Sequence, residues 1–315
     1  MLLPALVLTS LAAAVPAGAT TDDSTAPADE QAKDYAALFD EARRKLDLRG
    51  GNFLATELQK SERNRYGAHS VLRVPGLYEA ARWYSWADRT RQERAALNAA
   101  LTILEKAYGP RDARLSYPLR TIASSCVRSR SDADLARAVL DRALQLNFQA
   151  TRADVLERAE VFAVRGDVEA LFDTPSAGGG WYKAAWQKLA DSRFAGPDIA
   201  NEMFTQPKPV YVNVPDEPFT SRKGNLDHFT AGTVSFGFTV SALGVIEQLR
   251  LRQSQLPIDS IPRPVLEAFR DARYRPRLVA GQPVPTPDHG FALTFSTDER
   301  RARRRVSFGQ LDHAR

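Results

Sequence analysis

The chain has 315 residues, of which 43% are hydrophobic and 26% are charged, and its formal net charge is +5. This composition is typical of a globular protein and leaves room for one to three domains. The single cysteine excludes a disulfide framework, and because Cys126 lies in a helical pattern we expect a buried thiol rather than a reactive one.

The N-terminus carries the pattern of an export signal. Residues 1–19 contain no charged side chain, are mostly apolar and end in Ala-Gly-Ala, which is the small-residue pattern of a signal cleavage site. We therefore expect cleavage between Ala19 and Thr20 and a mature protein in the periplasm. The alternative is that residues 2–17 stay uncleaved as an inner-membrane anchor facing the periplasm, although this stretch is short for a span and is interrupted by prolines.

The positive charge is concentrated near the C-terminus. The five arginines between 300 and 305 equal the whole formal net charge, so the charges of all other residues sum to zero. We predict that 298–315 is a disordered basic tail that could make weak contacts with phosphate or anionic lipid, whereas nucleic-acid binding conflicts with export. These arginines are Arg300, Arg301, Arg303, Arg304 and Arg305.

A long helical region follows a polar, acidic linker at 20–32. From 33 to 191, apolar residues recur at three- and four-residue spacing, and the breaks carry Gly-Gly, Gly-Pro or Ser-Asp. The predicted helices are 33–48, 53–64, 74–87, 90–108, 115–129, 132–147, 152–165, 167–173 and 181–191.

Small residues recur in this region at a regular spacing. Ala100 and Ala107 are seven residues apart, and the same spacing occurs 36 residues later at Ala136 and Ala143. Ala170 follows 34 residues after Ala136. Small residues seven apart allow two paired helices to approach closely.

This spacing resembles the tetratricopeptide repeat, whose period is 34 residues, over roughly 90–175. The resemblance implies a solenoid of stacked helix pairs whose concave face holds an extended peptide or a helix of a partner. Most of the family's large first-helix residues are absent, so a generic α-solenoid or an irregular bundle is the alternative.

An aromatic cluster in predicted helix 74–87 is a candidate for lining such a groove. At helical spacing, however, aromatic residues more often belong to the core, and both interpretations stay open. The cluster consists of Tyr78, Trp83, Tyr84 and Trp86.

Helical periodicity fades after 191. We predict a linker at 192–208 and a second domain at 209–297 that could begin with a strand, Pro209–Val214. From Gly232 the apolar period changes to two, which indicates a strand; a turn ending at Gly244, able to adopt positive φ, leads to a second strand and so to a hairpin.

A helix and a third strand complete this C-terminal pattern. Val265, Leu266, Phe269 and Ala272 share one helical face, and Pro276 should stop the helix. A turn at Gly281-Gln282-Pro283 leads to the third strand, and the pattern is therefore ββαβ. The predicted third strand consists of Phe291, Ala292, Leu293, Thr294, Phe295 and Ser296.

This order of features is similar to the C-terminal domain of TonB, the periplasmic energy transducer of Gram-negative bacteria. The resemblance covers under a third of the chain. The matching features are Gly232-Thr233-Val234, Val240 with Gly244 and Ile246 at the hairpin, the helix LEAFRDARYRP, the loop Gly281-Gln282-Pro283-Val284 and the strand Phe291–Phe295. An unrelated ββαβ domain is the alternative.

The resemblance implies a docking function for the third strand. Whether this strand joins the first or the second strand, it lies at an edge of the sheet, and an edge offers unpaired backbone groups. In the TonB family this edge takes up a short segment of an outer-membrane receptor by strand addition. We therefore expect residues 291–296 to bind an extended peptide.

Two features of a conventional energy transducer are absent from the sequence. The family's anchor carries a Ser and a His four residues apart, whereas here Ser10 is followed by Ala14. The family's long Pro-Lys and Pro-Glu spacer is replaced by the helical region. We therefore favour a protein-binding adaptor over the alternative, a membrane-anchored TonB-type transducer with proton-channel partners.

No catalytic or metal-binding pattern stands out. The four histidines have no ligand spacing, and no nucleophile elbow, zinc-protease motif or phosphate-binding loop occurs. We expect no enzymatic activity, no metal and no cofactor. A third hypothesis, an envelope enzyme, would require His228 and His289 to converge with a carboxylate. In sum, we predict an α+β, multidomain protein, a tetratricopeptide-like solenoid followed by a small ββαβ domain.

Overall fold

The computed structural model describes residues 34–212, 231–254, 267 and 269–296. Within them, nine α-helices are followed by small antiparallel sheets, which confirms the α+β class. The predicted signal and linker (1–32, with the Ala19–Thr20 cleavage point), His228 and the basic tail lie outside the described residues. Of the described helices, none combines the length and hydropathy needed to cross a membrane.

The helices agree closely with the sequence periodicity in the first part of the chain. They are α1 Tyr35–Lys45, α2 Leu48–Tyr66, α3 Val74–Trp86, α4 Thr90–Tyr108, α5 Ser116–Ser129, α6 Ala133–Leu144, α7 Arg152–Phe172, α8 Gly179–Ala190 and α9 Gly196–Met203. We call these nine helices the helical array.

Two predicted breaks do not occur. The Gly-Gly break is absent because α2 begins at Leu48, after the N-cap Asp47, and runs through Gly50 and Gly51. The Trp83 ring packs against Gly51.

The second absent break is at Gly166. The sequence suggests that one helix ends near 165 and another begins at 167, but α7 runs without interruption through Gly166. This glycine serves a close approach between helices, because a Cβ atom there would lie 2.4 Å from Cε1 of Tyr182 on α8. The absence of a side chain lets the Tyr182 ring pack directly against the backbone of α7.

The predicted linker at 192–208 contains a helix. Helix α9 has a proline in its first turn. Proline is tolerated there because the backbone N–H groups of a first turn have no intrahelical acceptor. Ala200 within α9 and Phe204 after it are fully buried. The linker prediction is wrong for this stretch because an eight-residue helix is too short to show a periodic pattern.

Consecutive helices of the array pack as neighbours, and α5 also contacts α7. Ala100, Ala136 and Ala143 are fully buried, as close helix packing requires, whereas Ala107 is exposed. Ala170 is buried on α7, the first helix of the pair α7–α8, whereas Ala136 lies on the second helix of the pair α5–α6. The 34-residue spacing therefore does not place equivalent alanines on equivalent helices.

The described C-terminal strands form three small antiparallel sheets. The strands are β1 Lys208–Tyr211, β2 Ala231–Val240, β3 Ile246–Ser254, β4 Arg273–Arg275, β5 Arg277–Val279, β6 Gln282–Val284 and β7 Thr286–Ser296. A three-stranded sheet has the order β3–β2–β7, while β1 pairs with β4 and β5 pairs with β6. We call β2, β3, β7 and the helical residues before β4 the sheet module.

The predicted hairpin of the sheet module is confirmed. Gly244 has a φ of +75°, and a Cβ atom there would lie 1.9 Å from the carbonyl oxygen of Tyr274, so only glycine fits this turn. Phe269 and Ala272 are fully buried beneath the sheet, as the helical pattern predicts. Val265 and Leu266 lie outside the described residues.

The helix of the sheet module ends earlier than predicted. The chain is already extended in β4 at Arg273, so Pro276 follows a strand instead of stopping a helix. The single strand predicted at Pro209–Val214 is β1, shifted to Lys208–Tyr211. It pairs with β4, which the sequence does not suggest.

Candidate protein-binding surfaces

Strand β7 is the candidate peptide-binding edge. It pairs with β2 in antiparallel register, from Ala231 opposite Ser296 to Phe236 opposite Phe291 and on to Val240 opposite Thr286. Among the described residues, β7 has a strand on this side only, and β3 occupies the far edge. Of the two arrangements that the sequence allows, the third strand thus lies beside the first.

The beginning of β7 is irregular. The register shifts between the partners of Phe238 and Val240, and Asp288 has a φ of +55°. Pro287, beside it, has no backbone N–H to donate. A bulge with a proline is a common way to block an exposed edge. The regular part of the edge therefore runs from His289 to Ser296.

Of the described side chains of β7, Phe291 belongs to the core and His289 packs beside it. Phe291 is 2% exposed and lies edge-on to Phe269 at 5.0 Å between ring centroids. His289 packs edge-on against Phe238 and Tyr274 at 5.3 and 5.5 Å. Ala292 is half-buried. For Leu293, Thr294, Phe295 and Ser296 only the backbone is described, so what the candidate site offers in this structure is its backbone.

Two of the four aromatic residues in the α3 cluster are buried and therefore do not line a groove. Trp83 and Tyr84 are buried. Trp83 stacks on Phe39 at 5.4 Å, and its Nε1 donates a hydrogen bond of 2.9 Å to Oδ1 of Asn52. Room for the indole comes from Gly51, where a Cβ atom would lie 1.9 Å from Trp83.

The other two aromatic residues are half-buried. The Tyr78 ring lies 4.6 Å from that of Tyr117 on α5, and Trp86 lies 4.9 Å from Trp83. The groove interpretation is therefore wrong for Trp83 and Tyr84, because helices α1 and α2 cover the side of α3 that carries them.

Strand β4 forms a contact that the sequence does not reveal. Successive side chains of a strand point to opposite faces, and here the two faces belong to different parts of the protein. Tyr274 packs into the core of the sheet module beside Phe238. The next side chain, Arg275, enters the helical array and is 3% exposed.

Arg275 is held by a buried network on α7 and α8. Its Nε and Nη2 donate to the two carboxylate oxygens of Asp167 at 3.1 and 2.6 Å, and Nη1 lies 3.8 Å from Oε2 of Glu160. Tyr182 donates a hydrogen bond of 3.1 Å to the same Asp167 carboxylate. A two-pronged Arg–carboxylate pair is among the strongest hydrogen-bonded arrangements in proteins.

The electrostatics of this network favour its ionised form. Burial alone would lower the pKa of Arg275, but Asp167 and Glu160 raise it above its usual range. Burial and the Asp167 carboxylate raise the pKa of Tyr182, which therefore stays a neutral donor. The charged guanidinium is stable in this interior only while its carboxylates remain in place.

Strands β1, β5 and β6, which are not part of the sheet module, also contact the helical array. Strand β1 lies against α5 and α7, and Val210 and Tyr211 pack on the main core of the array. In the β5–β6 hairpin, the N–H of Leu278 donates to the carbonyl of Phe204 at 3.1 Å. Gly281, with a φ of +75°, allows the hairpin turn to sit on Trp186 of α8.

The remaining candidates for chemistry include His289, whose convergence with His228 is untested because His228 lies outside the described residues. Cys126 is buried, as expected, and burial raises the pKa of its thiol. In the described ranges, no group of three or more His, Cys, Asp or Glu side chains is arranged to hold a metal ion. His289 faces aromatic rings and Arg252.

No protein-family model matches this chain, and a search of curated proteins finds no match.

Proposed function

We propose that this protein is an exported protein-binding adaptor of the periplasm, in which a TonB-like sheet module docks an extended peptide of an outer-membrane or envelope protein. The peptide adds to the sheet as a strand beside β7. The observation that carries this proposal is the regular stretch of β7 from His289 to Ser296, which pairs with β2 on one side in the described part of the chain.

The likeness of this module to TonB is part of the proposal. Its last strand lies beside its first, and a helix segment with Phe269 packs beneath the sheet. Both features support the resemblance that the order of sequence motifs suggests.

Strand addition suits an adaptor. Main-chain hydrogen bonds supply the affinity, and alternate side chains add a modest selectivity. The bulge at Asp288 limits where an added strand can begin, because regular pairing is available only beyond it. The bound peptide would therefore cover no more than the stretch from His289 to the end of β7.

The helical array supports the sheet. Because Arg275 and the β5–β6 hairpin are packed into α7, α8 and α9, the edge of the sheet is held on a large folded body. These contacts fix the position of the sheet on the helices, so that the edge would meet a partner in a constant orientation.

The proposal is tested by photo-crosslinking in cells. A photoreactive amino acid at Thr294, on the candidate edge, should form adducts with an outer-membrane or envelope protein. The matched control carries the same group at Gln253, which is exposed on the opposite edge strand β3.

Adducts at Thr294 that are absent at Gln253 would support strand addition at β7. A protein that is stably produced and gives no adducts at Thr294, or gives the same adducts from both positions, would contradict it.

A further inference from the structure

The helical array has a groove that is already filled. Helices α5 and α7 lie side by side, although α6 separates them along the chain. In stacked helix pairs, the first helices of neighbouring pairs line the concave face. We call the surface of α5 and α7 that β1 covers the inner groove, and residues 208–211 the resident segment.

The resident segment has apolar and aromatic contacts typical of a bound peptide. Val210 and Tyr211 pack on the main core cluster of the array. The guanidinium of Arg130, at the end of α5, lies 5.3 Å from the centroid of the Tyr211 ring. An arginine over an aromatic face is a stabilising contact, so the tyrosine end of the segment has a defined binding position.

The other end of the segment is matched by charge. Lys208 lies close enough to Glu160 of α7 to affect it: burial alone would raise the pKa of Glu160, and Arg275, Arg120 and Lys208 together lower it below its ordinary value. Glu160, on which Arg275 and Arg120 also act, is thus an acidic group on the side of the groove where the segment carries its exposed lysine.

The backbone of the segment is bound as an added strand. It pairs antiparallel with β4, with Lys208 opposite Arg275, Pro209 opposite Tyr274 and Tyr211 opposite Arg273. Backbone pairing along one side, combined with contacts for alternate side chains, is the mode by which proteins bind extended peptides. Here the segment is part of the same chain.

We propose that the inner groove is a peptide-binding site, specific for an extended segment with a basic residue followed three positions later by an aromatic one, and that residues 208–211 occupy it as an intramolecular competitor. This site is separate from the β7 edge and does not depend on the proposed function.

Competition sets the expected affinity. A short linker holds an intramolecular ligand at an effective concentration of about millimolar, and only the fraction of molecules with an open groove can bind an external peptide. The native protein should therefore bind weakly, and a protein whose resident segment is weakened should bind more tightly by the factor by which the open fraction rises.

The test uses the full chain and a fluorescein-labelled synthetic peptide of residues 205–213, TQPKPVYVN. Fluorescence anisotropy compares the native protein with the Lys208→Ala/Tyr211→Ala variant. We expect the variant to bind at least about tenfold more tightly. The control peptide carries the same two positions changed, Lys208→Glu and Tyr211→Ala, and should not bind either protein.

A groove variant tests the location. Arg130 has a φ of +46°, a conformation that suits glycine, so Arg130→Gly removes the contact with the tyrosine ring without straining the backbone. Placed in the double variant, it should weaken peptide binding several-fold. Unchanged affinity would locate the binding elsewhere and overturn the assignment of the groove.

A double variant that is folded by circular dichroism and binds no better than the native protein would overturn the proposal. If that variant does not fold, hydrogen exchange on the native protein decides. Saturating peptide should accelerate amide exchange at residues 208–211 as the resident segment is displaced; no change there would equally overturn the proposal.

Discussion

Replacing Arg275 with methionine should weaken the attachment of the sheet module to the helical array. Methionine keeps much of the length of the side chain but removes the guanidinium. Asp167 is then left with its charge buried and with Tyr182 as its remaining hydrogen-bond donor in the network. Glu160 is less affected, because Arg120 and Lys208 also act on it.

The magnitude follows from the burial of both partners. Arg275 is 3% exposed and Asp167 is 9% exposed, so water cannot replace the lost partner. Removing one member of such a pair typically costs about 3–5 kcal/mol, whereas replacing both by apolar groups is often neutral. We therefore expect Arg275→Met to lower the free energy of unfolding by about 3–5 kcal/mol. The double variant Arg275→Met/Asp167→Leu should lose much less than the sum of the single changes.

The assay is urea unfolding followed by far-UV circular dichroism, with Arg277→Met as the matched control because Arg277 is exposed on β5. The control should change the free energy of unfolding by less than about 0.5 kcal/mol. A loss below about 1 kcal/mol for Arg275→Met, or additive losses in the double variant, would refute the reasoning that the buried pair joins the module to the array.

Further predictions concern other buried groups and the N-terminus. Burial raises the pKa of Glu62 to about 7, so the folded protein holds this proton more tightly than the unfolded chain, and stability falls as pH rises from about 4.5 to 7. Glu62→Gln should therefore raise the melting temperature at pH 8 and leave it nearly unchanged at pH 4; an equal gain at both would contradict this. Burial and a nearby arginine lower the pKa of His289, so its neutral form is favoured by folding and stability should fall as pH drops below about 6.5. His289→Phe should remove part of that loss in thermal melts between pH 7.5 and 5, and an unchanged pH profile would count against it. Gly166→Ala should cost about 1–3 kcal/mol in urea unfolding because its Cβ meets a tyrosine ring, whereas Gly180→Ala, with nothing within 4 Å of the added Cβ, should be neutral or stabilising; equal effects would disprove the packing argument. Mass spectrometry of the exported protein should find Thr20 at the N-terminus, and an intact start in the membrane fraction would favour the anchored alternative.

Local structure was largely predictable because it depends on neighbouring residues. The predicted helix 90–108 matches α4, and the hairpin turn at Gly244 has the positive φ expected of it. Helical periodicity, alternation along a strand and turn residues each act over a few positions. The same locality allowed the third strand to be recognised, although β7 begins five residues earlier than predicted, at Thr286.

The errors share a different cause. The break expected at Gly166 is absent because a tyrosine on the next helix packs against that glycine. Trp83 is in the core because Gly51 on another helix leaves room for its ring. In both cases the same residue types are compatible with either outcome, and the partner that selects one comes from another element of the fold.

The sequence by itself determined most of the succession of helices, the change to strands near 230 and the glycine turn, since these depend on short-range periodicity and backbone conformation. The short strands β4, β5 and β6 between the helical residues and β7 were not predicted. Only the tertiary structure decided that β1 covers α5 and α7 and that Arg275 enters the helical array. Arg275 and Asp167 are 108 positions apart, and a buried charge is stable only when all of its partners are assembled around it. That condition is a property of the packed interior, and no local stretch of residues carries it.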